Sequence, residues 1–436
     1  MRQALDFLRG VRLEFSGWGQ IWAVPLLIFI EVWNAFGNLV PGVGFWPATV
    51  HALILAGILG SCGMAGLAAW AGSRERRLSL IPLRGMAGIP AWWIPAAQLF
   101  ALWLWSIVLY GVVALAAGVR TLFLDPSGHF SVSGLAVGCL GILVWTTVGY
   151  AIGRAWPSRF APPIAAVLPY GFYVLSYDWS GIAYLMSPFL DELVDPYVVP
   201  GAGVYAAQAT WLAGLILVVA CVALLGTAGR KTLAVVLVPA VAVAGVGIVL
   251  LGGHGGRLQA PVGERTDTAT LATSCTSGGT PVVCVHPAYR SALPELQQHF
   301  GGPIRQRLEE TPARFDRLVQ RSYGQTGEPR SVYITSLRPG WQDETFGDFI
   351  AYLLDPESCI QADQQNEALS RIAQQWIAQG ETSAASIPGF AAPTDAMKRA
   401  ERFFNQASDE EASRWLGSKW TKFSQCGLGA ADFQKS

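Results

Sequence analysis

Charge is what this sequence has least of. Only 14% of its 436 residues are Asp, Glu, Lys or Arg, where a soluble globular domain carries about 25%. In their place 52% are hydrophobic, 17 are Trp and the mean hydropathy is +0.37. That balance excludes a wholly soluble chain. A formal net charge of zero, with no Lys/Arg-rich run, excludes a nucleic-acid partner. Catalytic signatures are missing too. No G-x-x-x-x-G-K-S/T occurs, so the chain has no P-loop and does not hydrolyse nucleotide by that route. H-E-x-x-H is absent and the five histidines (His51, His129, His254, His286, His299) are scattered. Cys284-Val285-His286 puts two ligand types on one strand face, but no second ligand pair accompanies it, as a zinc site requires. Neighbours in sequence do not by themselves give a Cys–His nucleophile its geometry. Asp409-Glu410-Glu411 reads as a solvated helix start. No catalytic residue, metal or cofactor is expected, and no enzymatic activity.

What is abundant is the long apolar run. A bilayer core of about 30 Å takes roughly 20 apolar residues as a helix, and seven stretches qualify: 20–38, 47–71, 92–118, 132–152, 159–177, 203–227 and 232–252. The first is interrupted by Pro25, Glu31 and Asn34. The fifth holds Pro162, Pro163 and Pro169, which predicts a kink. Residues 1–19 lack an apolar core followed by a small-residue cleavage site, so they read as the lead into an uncleaved span. Sidedness follows from Lys and Arg in the short loops. With the N-terminus cytoplasmic, the inner segments hold Arg2, Arg9, Arg12, Arg74, Arg76, Arg77, Arg84, Arg154, Arg159, Arg230 and Lys231, and the outer loops only Arg120. Seven spans then put the C-terminal region outside the cell membrane.

The expected architecture is therefore an α-helical polytopic membrane protein with a C-terminal extracytoplasmic α+β domain: a helix bundle over 1–252, a Gly-rich linker over 253–266 and the outer domain over 267–436. Cysteine usage agrees. Cys62, Cys139 and Cys221 fall in apolar spans, whereas Cys275, Cys284, Cys359 and Cys426 all follow the last span. An even set facing an oxidising compartment reads as two disulfides. Three pairings can be drawn; we favour Cys275–Cys284, closing a hairpin around Thr276-Ser277-Gly278-Gly279-Thr280, and Cys359–Cys426. In the outer domain, 268–285 reads as a hairpin and Ser331–Leu337 as a strand. Helical patterns cover 288–300, 303–322, 344–354, 364–379, 394–406 and 408–423, the last opened by Ser408 as a cap.

Two ionisable residues stand out inside the apolar runs, Glu31 and His51. Buried charge in a membrane is costly, which makes functional placement the default reading; the competing one sets both at headgroup level. Gly134-x-x-x-Gly138, Gly149-x-x-x-Gly153 and the run Gly57, Gly60, Gly63, Gly66 permit close helix contact. Trp92, Trp93, Trp103, Trp105 and Tyr110 read in part as an interfacial belt. The polar interruption from Ser73 to Gly88 places Arg74, Glu75, Arg76, Arg77, Leu80 and Arg84 as a short amphipathic segment on the inner surface. It serves either as a docking point for a cytoplasmic partner or as a headgroup anchor.

The stretch Ala68-Ala69-Trp70-Ala71-Gly72-Ser73-Arg74-Glu75-Arg76-Arg77 and the span after it resemble permease subunits of type-2 ABC exporters from actinobacteria. So do Val148-Gly149-Tyr150-Ala151-Ile152-Gly153-Arg154 and Pro157-Ser158-Arg159-Phe160-Ala161-Pro162-Pro163, which match the glycine-rich fourth span and the inner turn into the fifth. The matches cover about a third of the chain. The resemblance implies that residues 73–90 act as a coupling segment against a separate ABC ATP-binding subunit. It also implies that a second permease chain, the same or related, completes the pathway across the lipid bilayer. Cargo would be a peptide, antibiotic or lipid, with self-protection against an antibiotic peptide among the roles. Simple members have six spans; a seventh span and an outer domain depart from that pattern. Cys-Val-His-Pro-Ala-Tyr, residues 284–289, resembles a segment of extended members. The alternative, from another class, is a membrane-anchored outer domain that binds or senses a ligand.

Overall fold

The computed structural model describes residues 2–15, 18–77, 90–176, 178–189, 202–224, 230–253, 274–321, 331–387, 389 and 392–433. The chain divides into two compact units, one of Met1–Leu39 with Gly44–Thr266 and one of Val40–Val43 with Asp267–Ser436. The linker expected over 253–266 lies outside the described residues beyond Gly253.

The first unit is helical: α1 (Arg2–Phe15), α2 (Trp18–Asn38), α3 (Trp46–Arg77), α4 (Trp93–Leu122), α5 (Val132–Ala155), α6 (Ala161–Ser176), α7 (Gly181–Met186), α8 (Ala202–Ala223) and α9 (Arg230–Gly253). Local signals set the ends. Pro47 occupies the first turn of α3, where its missing N–H costs nothing. Ser131 Oγ caps α5 by accepting from the Gly134 N–H at 3.1 Å. Pro157 follows directly on the Trp156 that closes α5. Helix α3 is the axis of the unit, packed most extensively on α5 and also on α2, α4 and α6. Its 32 residues extend about 48 Å at 1.5 Å per residue, well past a hydrocarbon core.

Among the described residues six helices are long and apolar enough to cross a membrane: Ile21–Asn38, Trp46–Arg77, Trp93–Leu122, Val132–Ala155, Gly203–Ala223 and Val235–Gly253. The expected fifth span, 159–177, is instead the 16-residue α6 with Pro169 inside it. At about 24 Å it falls short of the core thickness. Prolines 162 and 163 confine its start to Ala161, because they fit only the first helical turn.

The aromatic belt is also smaller than expected. Trp92 is exposed, but Tyr110 is buried in the bundle, Trp103 Nε1 donates to Thr147 Oγ1 at 2.9 Å, and Trp105 stacks on Phe15 with ring centroids 4.2 Å apart. The two indole N–H groups find acceptors inside, that of Trp105 being the Phe15 carbonyl at 3.0 Å.

In the second unit a four-stranded sheet runs in the order β1 (Ser274–Cys275), β2 (Val282–Val285), β3 (Arg317–Gln320), β4 (Ser331–Val332). The first pair is an antiparallel hairpin and the other two pairs are parallel. Around it lie α10 (Leu293–Gly301), α11 (Pro303–Leu308), α12 (Trp341–Ala351), α13 (Pro356–Gln361), α14 (Gln364–Gln379), α15 (Asp395–Gln406), α16 (Asp409–Ser418) and α17 (Trp420–Ser424). The helix expected over 303–322 stops at Leu308. Pro312 forbids its continuation, and Arg317–Gln320 instead becomes a central strand with Leu318 fully buried. Strand Ser331–Leu337 shortens to Ser331–Val332. Ser408 caps α16 by accepting from the Glu411 N–H at 3.2 Å. The core joins Phe300, Phe315 and Phe349, and separately Trp376 stacked on Phe404 at 5.2 Å. Disulfides link Cys275 to Cys284 across the hairpin and Cys359 to Cys426 over 67 residues, the pairings that spacing favoured. A loop of that length constrains the unfolded chain by about 4 kcal/mol in the chain-entropy account.

Candidate functional site

Two polar sites lie in the helical unit. The first forms at the C-terminal end of α3, where Arg74, Glu75, Arg76 and Arg77 continue the helix. Arg74 turns toward α1, its Nη2 lying 2.6 and 2.7 Å from the Glu14 carboxylate oxygens. Gln98 of α4 donates to the same carboxylate at 3.4 Å. The Tyr150 hydroxyl of α5 lies 3.0 Å from both the Pro95 carbonyl and Gln98 Oε1. Glu75 is buried and faces Arg154 of α5, Oε2 to Nη1 at 3.5 Å, and Arg154 Nε donates to the Ala223 carbonyl at the end of α8 at 3.0 Å. One connected network thus ties α1, α3, α4, α5 and α8. Arg76 and Arg77 remain exposed. Leu80 and Arg84 lie outside the described residues.

The approach that permits this network is set by glycine. Gly72 of α3 lies against the Tyr150 carbonyl, where a Cβ would come within 2.6 Å of the oxygen. Gly149 and Gly153 of α5 press on the backbones of Ala65 and Ala69, with no room for a Cβ. In the sequence Arg154 shows only as an inner-loop charge, and Glu14, Gln98 and Tyr150 show no role. The available signal was Glu14 itself, one of two carboxylates in the first 20 residues, Asp6 being the other.

The second site is Glu31. It lies on the inner face of α2 with Val24 and Ala35, and its carboxyl faces Gly60 near the middle of α3, where a Cβ would collide with Oε1. The residue is 1% exposed and neither oxygen has a hydrogen-bond partner among the described residues. His51 is not brought to it. It is half-buried near the start of α3, nine residues before Gly60 and so roughly 13 Å away along the axis. The Tyr110 hydroxyl of α4, which lies against Gly138 of α5 and has no hydrogen-bond partner among the described residues, is within electrostatic reach of Glu31.

The second unit has a cleft of about 510 Å³ lined by Glu295, Gln298, His299, Ile304, Arg307 and Gln342, among others. Arg307 forms its inner wall and is itself engaged, Nη1 donating to the Ile377 carbonyl at 3.1 Å and Nε lying 3.5 Å from Asp409. The His299 ring packs edge-on against Phe346 and Phe300, which also contact each other. His286 is no part of this cleft; its Nδ1 accepts from the Ala288 N–H at 3.1 Å, and burial pushes the imidazole down to about 4. Among the described residues, no three His, Cys, Asp or Glu side chains are grouped to hold a metal ion.

No protein-family model, no curated protein and no solved structure matches this chain.

Proposed function

We propose that this chain is the membrane-spanning permease subunit of an ABC-type exporter, driven by a separate ATP-binding subunit and completed by a second permease chain. The observation that carries the reading is the exit of α3. Arg76 and Arg77 are free to meet a partner, while the adjacent Arg74 and Glu75 are anchored to α1 and α5. Force applied at this point would be felt through Glu14 by α1, through Arg154 by α5, and through the Ala223 carbonyl by α8. A docking ATPase needs such a handle on several helices at once. The resemblance of residues 68–77 and 148–154 to exporter permeases supports the same role. Cargo is a peptide, antibiotic or lipid-like molecule, and resistance to an antibiotic is one outcome of its export. The unit from residue 267 works on the extracytoplasmic side as an exit gate or capture domain. Two disulfides there and the bias of Lys and Arg toward the opposite loops support that placement.

The test is co-purification of the tagged full-length chain from its native membrane. Arg76→Glu with Arg77→Glu is the variant to compare, because Arg74 has an internal partner whose loss would disturb the bundle itself. An ATP-binding protein should accompany the wild type and be lost from the variant at unchanged expression. Absence of any ATPase with the wild type, even after crosslinking, overturns the exporter. The membrane-anchored ligand-binding protein then becomes the better reading, and the cleft around Glu295, His299 and Arg307 is the feature that favours it.

A further inference from the structure

Helix α2 lies at the edge of the helical unit. Leu26, Phe29 and Trp33 are exposed on one side of it, while Val24, Glu31 and Ala35 are buried on the other. Leu27 fills the notch left by Gly63 of α3, and Glu31 fills the one left by Gly60, one helical turn earlier. Leu109 of α4 closes the space beside Gly60. Glu31 therefore sits one helix thickness from the lipid-facing surface, against Leu27, Leu109 and the Gly60 backbone.

An unpartnered carboxyl in such a place is among the most costly groups a bundle can hold; it keeps a proton or finds a cation. Nothing in the packing requires an acid there, since Leu or Met would fill the same notch without the cost. Two more buried polar atoms on the neighbouring helices lack partners among the described residues, Ser61 Oγ of α3 and the Tyr110 hydroxyl of α4. The ion-pair network at the end of α3 uses none of these groups.

We propose that Glu31 is the anionic binding site for a lipophilic cation that enters from the bilayer beside α2. The carboxylate supplies the counter-charge, Tyr110 a hydroxyl dipole, and Leu27 and Leu109 the apolar walls. The inference rests on the exporter reading only in taking this ligand as cargo; binding itself needs no ATPase.

The test uses full-length protein in lipid nanodiscs and equilibrium binding of tetraphenylphosphonium, with neutral triphenylphosphine oxide as the uncharged comparison. Wild type should bind the cation, Glu31→Gln at least tenfold more weakly, and Glu31→Asp in between. The neutral compound should bind the three proteins alike. Should Glu31→Gln fail to give monodisperse protein, Tyr110→Phe replaces it and should weaken the cation two- to fivefold. Equal affinity in wild type and the variants, or a wild type that takes up no more cation than protein-free nanodiscs, overturns the site and leaves Glu31 a neutral packing residue. Because no ATPase is present, failure here is separate from failure of the co-purification test.

Discussion

Asp432 and His286 make the second unit sensitive to acid, for different reasons. Burial alone would raise the Asp432 carboxyl, but the Gly429 N–H at 2.9 Å and the ammonium groups of Lys422 and Lys419, each at 3.0 Å, outweigh it and hold the carboxyl at about 2. Such a carboxylate stabilises the fold fully above its unfolded value of about 3.9, and the contribution is lost as pH falls toward 2. His286 is held neutral by burial of its ring, so the unfolded chain takes up a proton first, at about 6.5. Stability falls as pH drops from there to about 4. Acid unfolding of the full-length protein, followed by near-ultraviolet circular dichroism, should show both windows. His286→Asn should flatten the upper one and Asp432→Asn the lower; unchanged slopes in the variants would show that other groups govern them. Neither window is legible in the sequence. Asp432 meets Lys422 and Lys419 only because the last turn folds back on α17, and His286 is buried only because Pro287 and Ala288 turn the chain over it.

At the scale of the element, the seam between α3 and α5 decides the bundle. Gly149 and Gly153 meet backbone directly, whereas Gly171 on α6 has nothing within 4 Å. Alanine at an open helical glycine gains about 1 kcal/mol from propensity, while overpacking a closed seam costs about 1–3 kcal/mol. Gly149→Ala and Gly153→Ala should therefore lower the thermal midpoint in detergent and Gly171→Ala should leave it unchanged or raise it. A common effect at all three positions would mean that propensity, not contact, dominates. The sequence offered the small-residue spacing of Gly149 and Gly153 but not the partner, because a helix surface records its own period and not the face it meets. The misread helix over 303–322 has the same origin. Leu318 and Val319 fit a helical pattern until Pro312 and the empty edge of β2 make a strand the better hydrogen-bonding solution.

For the whole molecule, the number of crossings decides on which side the second unit lies. Six crossings would return the chain to its starting side; the 16-residue α6, followed by α7, would supply the odd crossing only if the bilayer thins or side chains reach out to meet it. The bias of charge and the paired cysteines after residue 273 favour the odd count. Alkaline phosphatase fused after Ser436 should accordingly be active, and a green fluorescent protein fused there should be dark. The reverse result would put the second unit in the cytoplasm and remove the basis for calling it an exit gate.

The sequence by itself determined that this is a membrane-type chain with a cysteine-paired domain behind it. Run length, charge scarcity and loop charge are properties of each segment and need no neighbour to be read. Tertiary structure alone decided that Arg74 and Glu75 face inward, that Glu31 is unpartnered while His51 stands apart from it, and that Tyr110 leaves the supposed belt for the interior. Each of these depends on which helix face meets which, and that is fixed by packing among helices whose sequences are almost uniformly apolar.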